Sequence, residues 1–191
     1  MKRTGKTYTL RGSFPMQLNN ASTFSGELSE NIFSYDSFDQ TKGWIVKNCW
    51  AWIDMIDGTG GGDSRVGLQF CLTTDKLNPN LAGSISGLKD FLEQYRPQDN
   101  RTIAWNQQDM QRRDSTNKDF VLPSNAFIDT TSFLIDEDRI ITRELFIQGY
   151  GTTEATTVTT NVNYFIALEE VELTPTENIM SQIKGIFQSI E

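Results

Sequence analysis

The sequence predicts an all-β fold: an antiparallel β-sandwich, a jelly roll of about eight strands, with a short inserted helix and a C-terminal amphipathic helix. Three observations predict it. Residues 139–149 (RIITRELFIQG) and 161–174 (NVNYFIALEEVELT) are long alternating segments, the pattern of adjacent strands in a sandwich core. Thr, Ser, Asn and Gly are plentiful and turn signals recur, which is the composition of strands joined by turns. Residues 174–177 (TPTE) then open one terminal helix, and no helix–strand alternation suggests a parallel sheet. With 191 residues the chain fits one domain and can bury a core without metals or disulfide staples.

The elements follow in order. After a basic start, residues 7–11 (TYTLR) read as a short strand, 12–31 as irregular or weakly extended, and 32–36 (IFSYD) as a second short strand. Residues 43–54 (GWIVKNCWAWID) form a long strand that is apolar on both faces. Strict alternation puts Ile45, Cys49, Ala51 and Ile53 on one face and Trp44, Val46, Trp50 and Trp52 on the other. Such a strand is central, or is covered by an extra layer or a neighbouring subunit. Residues 55–64 are a Gly-rich loop. In 65–73, Val66, Leu68, Phe70 and Leu72 point one way. Leu88, Phe91 and Leu92 fall at helical spacing, which sets the inserted helix at 87–95. Residues 101–106 suit a strand, 107–118 an exposed polar loop, and 119–135 one or two strands interrupted at Pro123.

In 139–149, Ile141, Leu145 and Ile147 share a face with Arg143. In 161–174, Val162, Tyr164, Ile166 and Leu168 share a face until the apolar phase flips to Val171 and Leu173, as at a β-bulge or a change of sheet. Thr174 as N-cap, Pro175 at N1 and Glu177 at N3 make a capping box. Ile179, Met180, Ile183, Ile186, Phe187 and Ile190 then form an apolar stripe that needs a cover, either its own sandwich or a neighbouring subunit. The organisation is thus a short basic N-terminal arm (1–12), a sandwich domain (13–174) and a C-terminal helix (175–191).

The chain has no histidine, which removes Ser-His-Asp chemistry, imidazole-bound zinc and the ordinary pH switch near neutrality. Carboxylate-only hydrolysis survives that exclusion, but Glu169, Glu170 and Glu172 lie along one strand and do not face each other across a cleft. The expectation is a protein that is not an enzyme. The formal charge is −8. Lys2, Arg3, Lys6 and Arg11 make residues 1–12 +4, so the remainder carries −12, the total less this segment. Such a start is a solvated terminus or a short nucleic-acid-binding arm. Cys49 and Cys71 read as buried thiols, and with no secretory signal and no membrane-length apolar run the protein is expected to be made in a cytoplasm.

Two further clusters invite sites. Asp54, Asp57 and Asp63 surround four glycines, the kind of oxygen-rich loop calcium favours. The spacing matches neither an EF-hand nor a P-loop, so a plain hairpin loop is preferred and no cofactor is expected. Trp44, Trp50, Trp52 and Trp105 are either core and interface or a platform for sugars or bases.

The layout resembles a single jelly-roll virus capsid protein. The likeness spans roughly residues 30–174 and is carried by the basic start (Lys2, Arg3, Lys6), the strand count with long loops, and the final pair ITRELFIQGYG and VNYFIALEEVELT. It implies a structural virion protein, made in the host cytoplasm, that self-assembles into a homo-oligomeric shell with basic residues facing a nucleic-acid genome and no membrane partner. Trp44, Trp50, Trp52 and the stripe Ile179, Ile183, Ile186, Phe187 and Ile190 are the expected subunit contacts. The alternatives are a carbohydrate-binding β-sandwich and a phage tail or fibre component.

Overall fold

The computed structural model of the chain describes residues 1–20, 27–35, 41–54, 64–76, 101–113, 120–123, 133–153 and 158–186. These contain strands β1 (Lys2–Asn20), β2 (Glu27–Ser34), β3 (Lys42–Ile53), β4 (Ser64–Thr73), β5 (Thr102–Arg113), β6 (Phe120–Pro123), β7 (Leu134–Ile135), β8 (Glu144–Thr153) and β9 (Val158–Glu172), then helix α1 (Pro175–Ile186). The inserted helix expected at 87–95 lies outside the described residues.

Pairing nests inward from the chain ends. β1 pairs with β9, β2 with β8 and β4 with β5, all antiparallel. Between the second and the last of these pairs, β3 meets the segment 133–141. Phe133 N–H donates to Cys49 O at 3.0 Å, and Trp44 and Ile141 exchange backbone bonds of 2.9 and 2.7 Å. A long hairpin folded over on itself pairs in this order, which defines a jelly roll. Sheet A is β1–β9–β3; sheet B is β2–β8–β4–β5, with β6 and β7 added to β5. β1 turns the corner between the sheets, since Asn19 and Asn20 pair in parallel with Thr152 and Thr153 of β8.

The core fills the space between the sheets. Leu10, Met16 and Leu18 of β1, Val46 and Ala51 of β3, and Ile166 and Leu168 of β9 meet Leu68, Phe70 and Leu72 of β4 and Leu145 and Ile147 of β8. Each large side chain buried this way contributes about 1.5–3 kcal/mol. The sheets approach closely at Gly151, where a Cβ would run into Leu18 Cδ2 and lie 2.6 Å from Met16 Cε. A polar bond also crosses the core: Gln108 Nε2 donates to Ala51 O at 3.0 Å.

Several strands run beyond their sequence signals. β1 continues through Asn20, because Phe14, Met16 and Leu18 alternate inward and β9 supplies an unbroken ladder from Thr7 to Leu18. β5 continues through the stretch expected as a loop, since Asn106 and Gln108 are accommodated inside and the ladder to β4 reaches Arg112. The alternation at 139–149 spans a change of sheet: Ile141 bridges to β3 in sheet A, while Leu145 and Ile147 belong to β8 in sheet B.

Two bulges reset the faces of sheet A. On β3 the register steps from Val46↔Leu168 to Asn48↔Ala167 and leaves Lys47 unpaired. One extra residue exchanges the two faces of everything beyond it. The expected division of β3 is therefore corrected: Trp44 and Val46 point inward together with Cys49, Ala51 and Ile53, while Trp50 and Trp52 point outward. On β1 the register shifts between Arg3 and Thr7, around Gly5 at φ 76°, a value that suits glycine. The predicted phase flip in β9 is present. Leu168 belongs to the main core, whereas Val171 and Leu173 form a second cluster with Ile45 and Ile140.

Candidate interaction surfaces

The basic start is the first half of β1 rather than a separate arm, because its backbone enters the sheet with Lys2 opposite Glu172. Its cations meet acids delivered by β9 and by the 136–138 turn. Lys2 Nζ lies 3.7 Å from Glu172 Oε2, Arg3 guanidinium nitrogens lie 3.0 Å from Glu137 Oε2 and 3.8 Å from Glu169 Oε2, and Lys6 Nζ lies 3.5 Å from the buried Glu170 Oε1. Lys47, at the bulge, joins the same group at 3.5 Å from Glu137 and 3.9 Å from Glu169. Its charge first, and then Arg3 and Lys47 through hydrogen bonds, hold the Glu137 carboxyl below its ordinary value. Arg11 is exposed, makes no ion pair among the described residues and sits on the outward face of sheet A in register with Phe165.

Asp54 closes β3 at the far end of sheet A. Its Oδ2 accepts from Asn161 Nδ2 at 3.0 Å and its Oδ1 from Asn163 Nδ2 at 2.6 Å, with the Asp54 N–H donating to Asn161 O at 2.9 Å. Both carboxylate oxygens thus already have donors. Asp57 and Asp63 lie outside the described residues, and among those described no group of three or more acidic or thiol side chains is placed to hold a metal ion.

The tryptophans separate. Trp44 packs against the core and, with Phe33, Tyr35 and the half-exposed Tyr8, forms an aromatic cluster with ring centroids 5.9–6.2 Å apart. Trp44 is thereby turned away from the face that carries Trp50 and Trp52, and the three do not make one surface. Trp50 instead pairs across to Phe165, ring centroids 5.5 Å apart. Trp52 lies in the next row, opposite Asn163. Trp52 is 41% and Phe165 38% exposed, so an open aromatic patch covers this part of sheet A. Phe165, Asn161 and Asn163 complete this surface without any motif of their own. Their signal is the alternation itself, which puts 161, 163 and 165 on the face opposite Val162 and Ile166.

Helix α1 starts where the capping box sets it. Thr174 Oγ1 accepts from Glu177 N–H at 3.3 Å, while Glu177 Oε2 accepts from Thr174 N–H at 2.8 Å and from its hydroxyl at 3.0 Å. Glu177 Oε1 also takes the N-terminal ammonium of Met1. These bonds, the ammonium's first, bring the Glu177 carboxyl down to about 2. Beyond this tethered turn the stripe is open: Ile179, Met180 and Ile183 are 55%, 59% and 44% exposed. Ile186 ends the helix, and Phe187 and Ile190 lie outside the described residues. Cys49 and Cys71 are buried thiols outside any disulfide, and burial pushes the Cys49 thiol well up. Among the described residues no helix is long and apolar enough to cross a membrane.

No family model matches the chain, and no curated relative does. Solved structures with a similar outline include VP1 of the Trichodysplasia spinulosa-associated polyomavirus, 10% identical over 88% of this chain and 100% of that one, with a TM-score of 0.38. The BFDV capsid protein, solved as a 60-mer, is 12% identical over 92% of this chain and 97% of its own, with a TM-score of 0.33. Merkel cell polyomavirus VP1, solved as an unassembled pentamer, is 8% identical over 86% and 96%, with a TM-score of 0.31. These likenesses are faint in sequence and in coordinates alike, and the jelly-roll order stands on the chain's own strand pairings.

Proposed function

We propose that this chain is a structural virion protein: a single jelly-roll capsid subunit, made in the host cytoplasm, that self-assembles into a shell around a nucleic-acid genome. A jelly roll alone does not specify a role. The observation that carries the reading is α1, a well-capped helix whose stripe Ile179, Met180 and Ile183 stays open on a single copy. A sister subunit supplies cover of the same chemistry, and each Å² of apolar surface so removed from water contributes about 25 cal/mol. The test is light scattering with size-exclusion chromatography, followed by electron microscopy, on the whole chain. Capsomers or particles are expected. A stable monomer across salt and pH overturns the reading.

Genome contact is assigned to Lys2, Arg3, Lys6 and Arg11. Arg11 is available as it stands, whereas the other three exchange carboxylate partners for phosphates. Binding of a single-stranded oligonucleotide is then salt-dependent, with a log–log slope of about −0.7 for each phosphate neutralised. Binding unaffected by Arg11→Glu removes Arg11 from the contact.

A further inference from the structure

Among the described residues, the patch on sheet A and the stripe of α1 are open apolar surfaces, and the sheet geometry keeps them apart. The aromatic patch of Trp50, Trp52 and Phe165 lies toward the start of β9, where Asn163 faces Trp52. The stripe of α1 begins beyond the other end of β9, after Leu173. From Asn163 to Thr174 a strand travels about 35 Å at about 3.3 Å per residue. From Thr174 to Ile183 a helix rises only about 14 Å at 1.5 Å per residue. Phe165, the nearest row of the patch, lies about 30 Å up the strand from Thr174, so even folded straight back the end of α1 at Ile186, about 18 Å on, stops about 12 Å short of it on its own copy.

We propose that α1 of one copy docks on the outward face of sheet A of the next, with Ile179, Met180 and Ile183 seated against Trp52, Phe165 and Trp50. The inference rests on the self-assembly reading and specifies which surface meets which. An amphipathic helix laid on an exposed apolar face is a recurring recognition mode, and aromatic side chains are favoured anchors at interface centres. Around the rings Arg11 and Asp54 cancel, and farther along the face Arg3 and Lys47 are matched by Glu137 and Glu169. With its charges balanced, what this face offers a partner copy is its exposed rings. Because the two surfaces differ, the contact is head-to-tail: it builds a ring where the rotation closes, the smallest being a two-copy reciprocal exchange, and an open filament where it does not.

The experiment uses two full-length variants, Phe165→Asp, which spoils the patch, and Ile183→Asp, which spoils the stripe; both positions are exposed, and Trp52→Ser serves as a second patch variant with a milder effect on the strand. Sedimentation velocity is measured on wild type, on each variant alone and on their equimolar mixture. Each variant alone is expected to lose association by about tenfold or more. The mixture is expected to give a two-chain species and to grow no further, because one patch and one stripe remain intact. A mixture that stays monomeric while wild type assembles overturns head-to-tail docking and leaves self-assembly standing. A patch variant that assembles like wild type, with Trp fluorescence that responds to an oligosaccharide or oligonucleotide in wild type, gives the face to a ligand and also overturns the proposal. A wild type that never assembles sinks both readings together.

Discussion

On sheet B the outward side chains Gln69, Cys71, Thr73 and Gln148 are fully buried, whereas on sheet A the outward Trp52 and Phe165 are more than a third exposed. Burial here runs against polarity: the amides and hydroxyls are inside and the aromatic rings outside. On the buried polar face the Gln148 amide nitrogen and the Thr73 hydroxyl are partnered, while Gln148 Oε1 has no hydrogen-bond partner among the described residues. Gln148 Nε2 donates to Thr73 Oγ1 at 2.6 Å and to Asp75 O at 3.0 Å, and Thr73 Oγ1 donates to Asp75 O at 2.7 Å. A polar group so paired loses little on leaving water. The aromatic face has no equivalent way to settle itself, since rings leave water only by contact with other apolar atoms. One face is therefore already out of water within the subunit, and the other has surface to offer.

Substitutions sharpen that contrast. The largest effect is expected for Cys71→Asp, which places a charge in the closed face; denaturant unfolding should show a loss of about 4 kcal/mol or more. Gln148→Ala follows, costing about 1–3 kcal/mol by stripping Thr73 and the Asp75 carbonyl of a partner. Trp52→Ser on the open face should cost under about 1 kcal/mol in the same measurement, although it removes a larger side chain. If Trp52→Ser proves as costly to the isolated subunit as Gln148→Ala, the division between a settled and an unsettled face fails.

The smallest effect concerns the ion-pair group beside the open face. The Glu137 carboxyl titrates below its usual value because of Lys47 and Arg3. A depressed carboxyl contributes stability above its unfolded value of about 4.3, and that contribution is lost as pH falls through the lower folded value. Glu137→Gln should flatten the stability–pH curve below about pH 4.3 and leave its shape near neutrality unchanged. Added salt should mimic part of the change, since the pair is exposed. An unaltered acid limb in the variant would show that the group contributes nothing to folding.

Much of the architecture was legible before any coordinates. The alternation of β4, the phase flip at Val171 and the capping box at Thr174–Glu177 are local patterns written in adjacent residues, and the structure carries all three. What escaped depends on partners distant in sequence. The bulge at Lys47 arises only against β9, and no residue in KNCWAW announces it, so strict alternation puts the three tryptophans on one face when Trp44 belongs inside. The polar second half of β5 reads as a loop in sequence because the partners that hold it are distant: β4 along its ladder, and Ala51 O across the core, 57 residues before Gln108. The cations of β1 suggested an arm because their carboxylate partners lie more than a hundred residues away. The outward patch was half visible: Trp50 and Trp52 were candidates, while Phe165 passed as one more apolar residue of a core strand.

The nested pairing also sets a timetable for synthesis. β9 lies between β1 and β3, so neither half of sheet A has its neighbour until β9 has left the ribosome. β4 and β5, paired with each other, can close far earlier. Long-range ladders form slowly, and an unpaired β1 is exposed to wrong partners throughout that wait. Truncation even a few residues into β9 thus takes away the spine of a whole layer, and a cell producing such fragments would accumulate half-made sandwiches with β1 and β3 unmated.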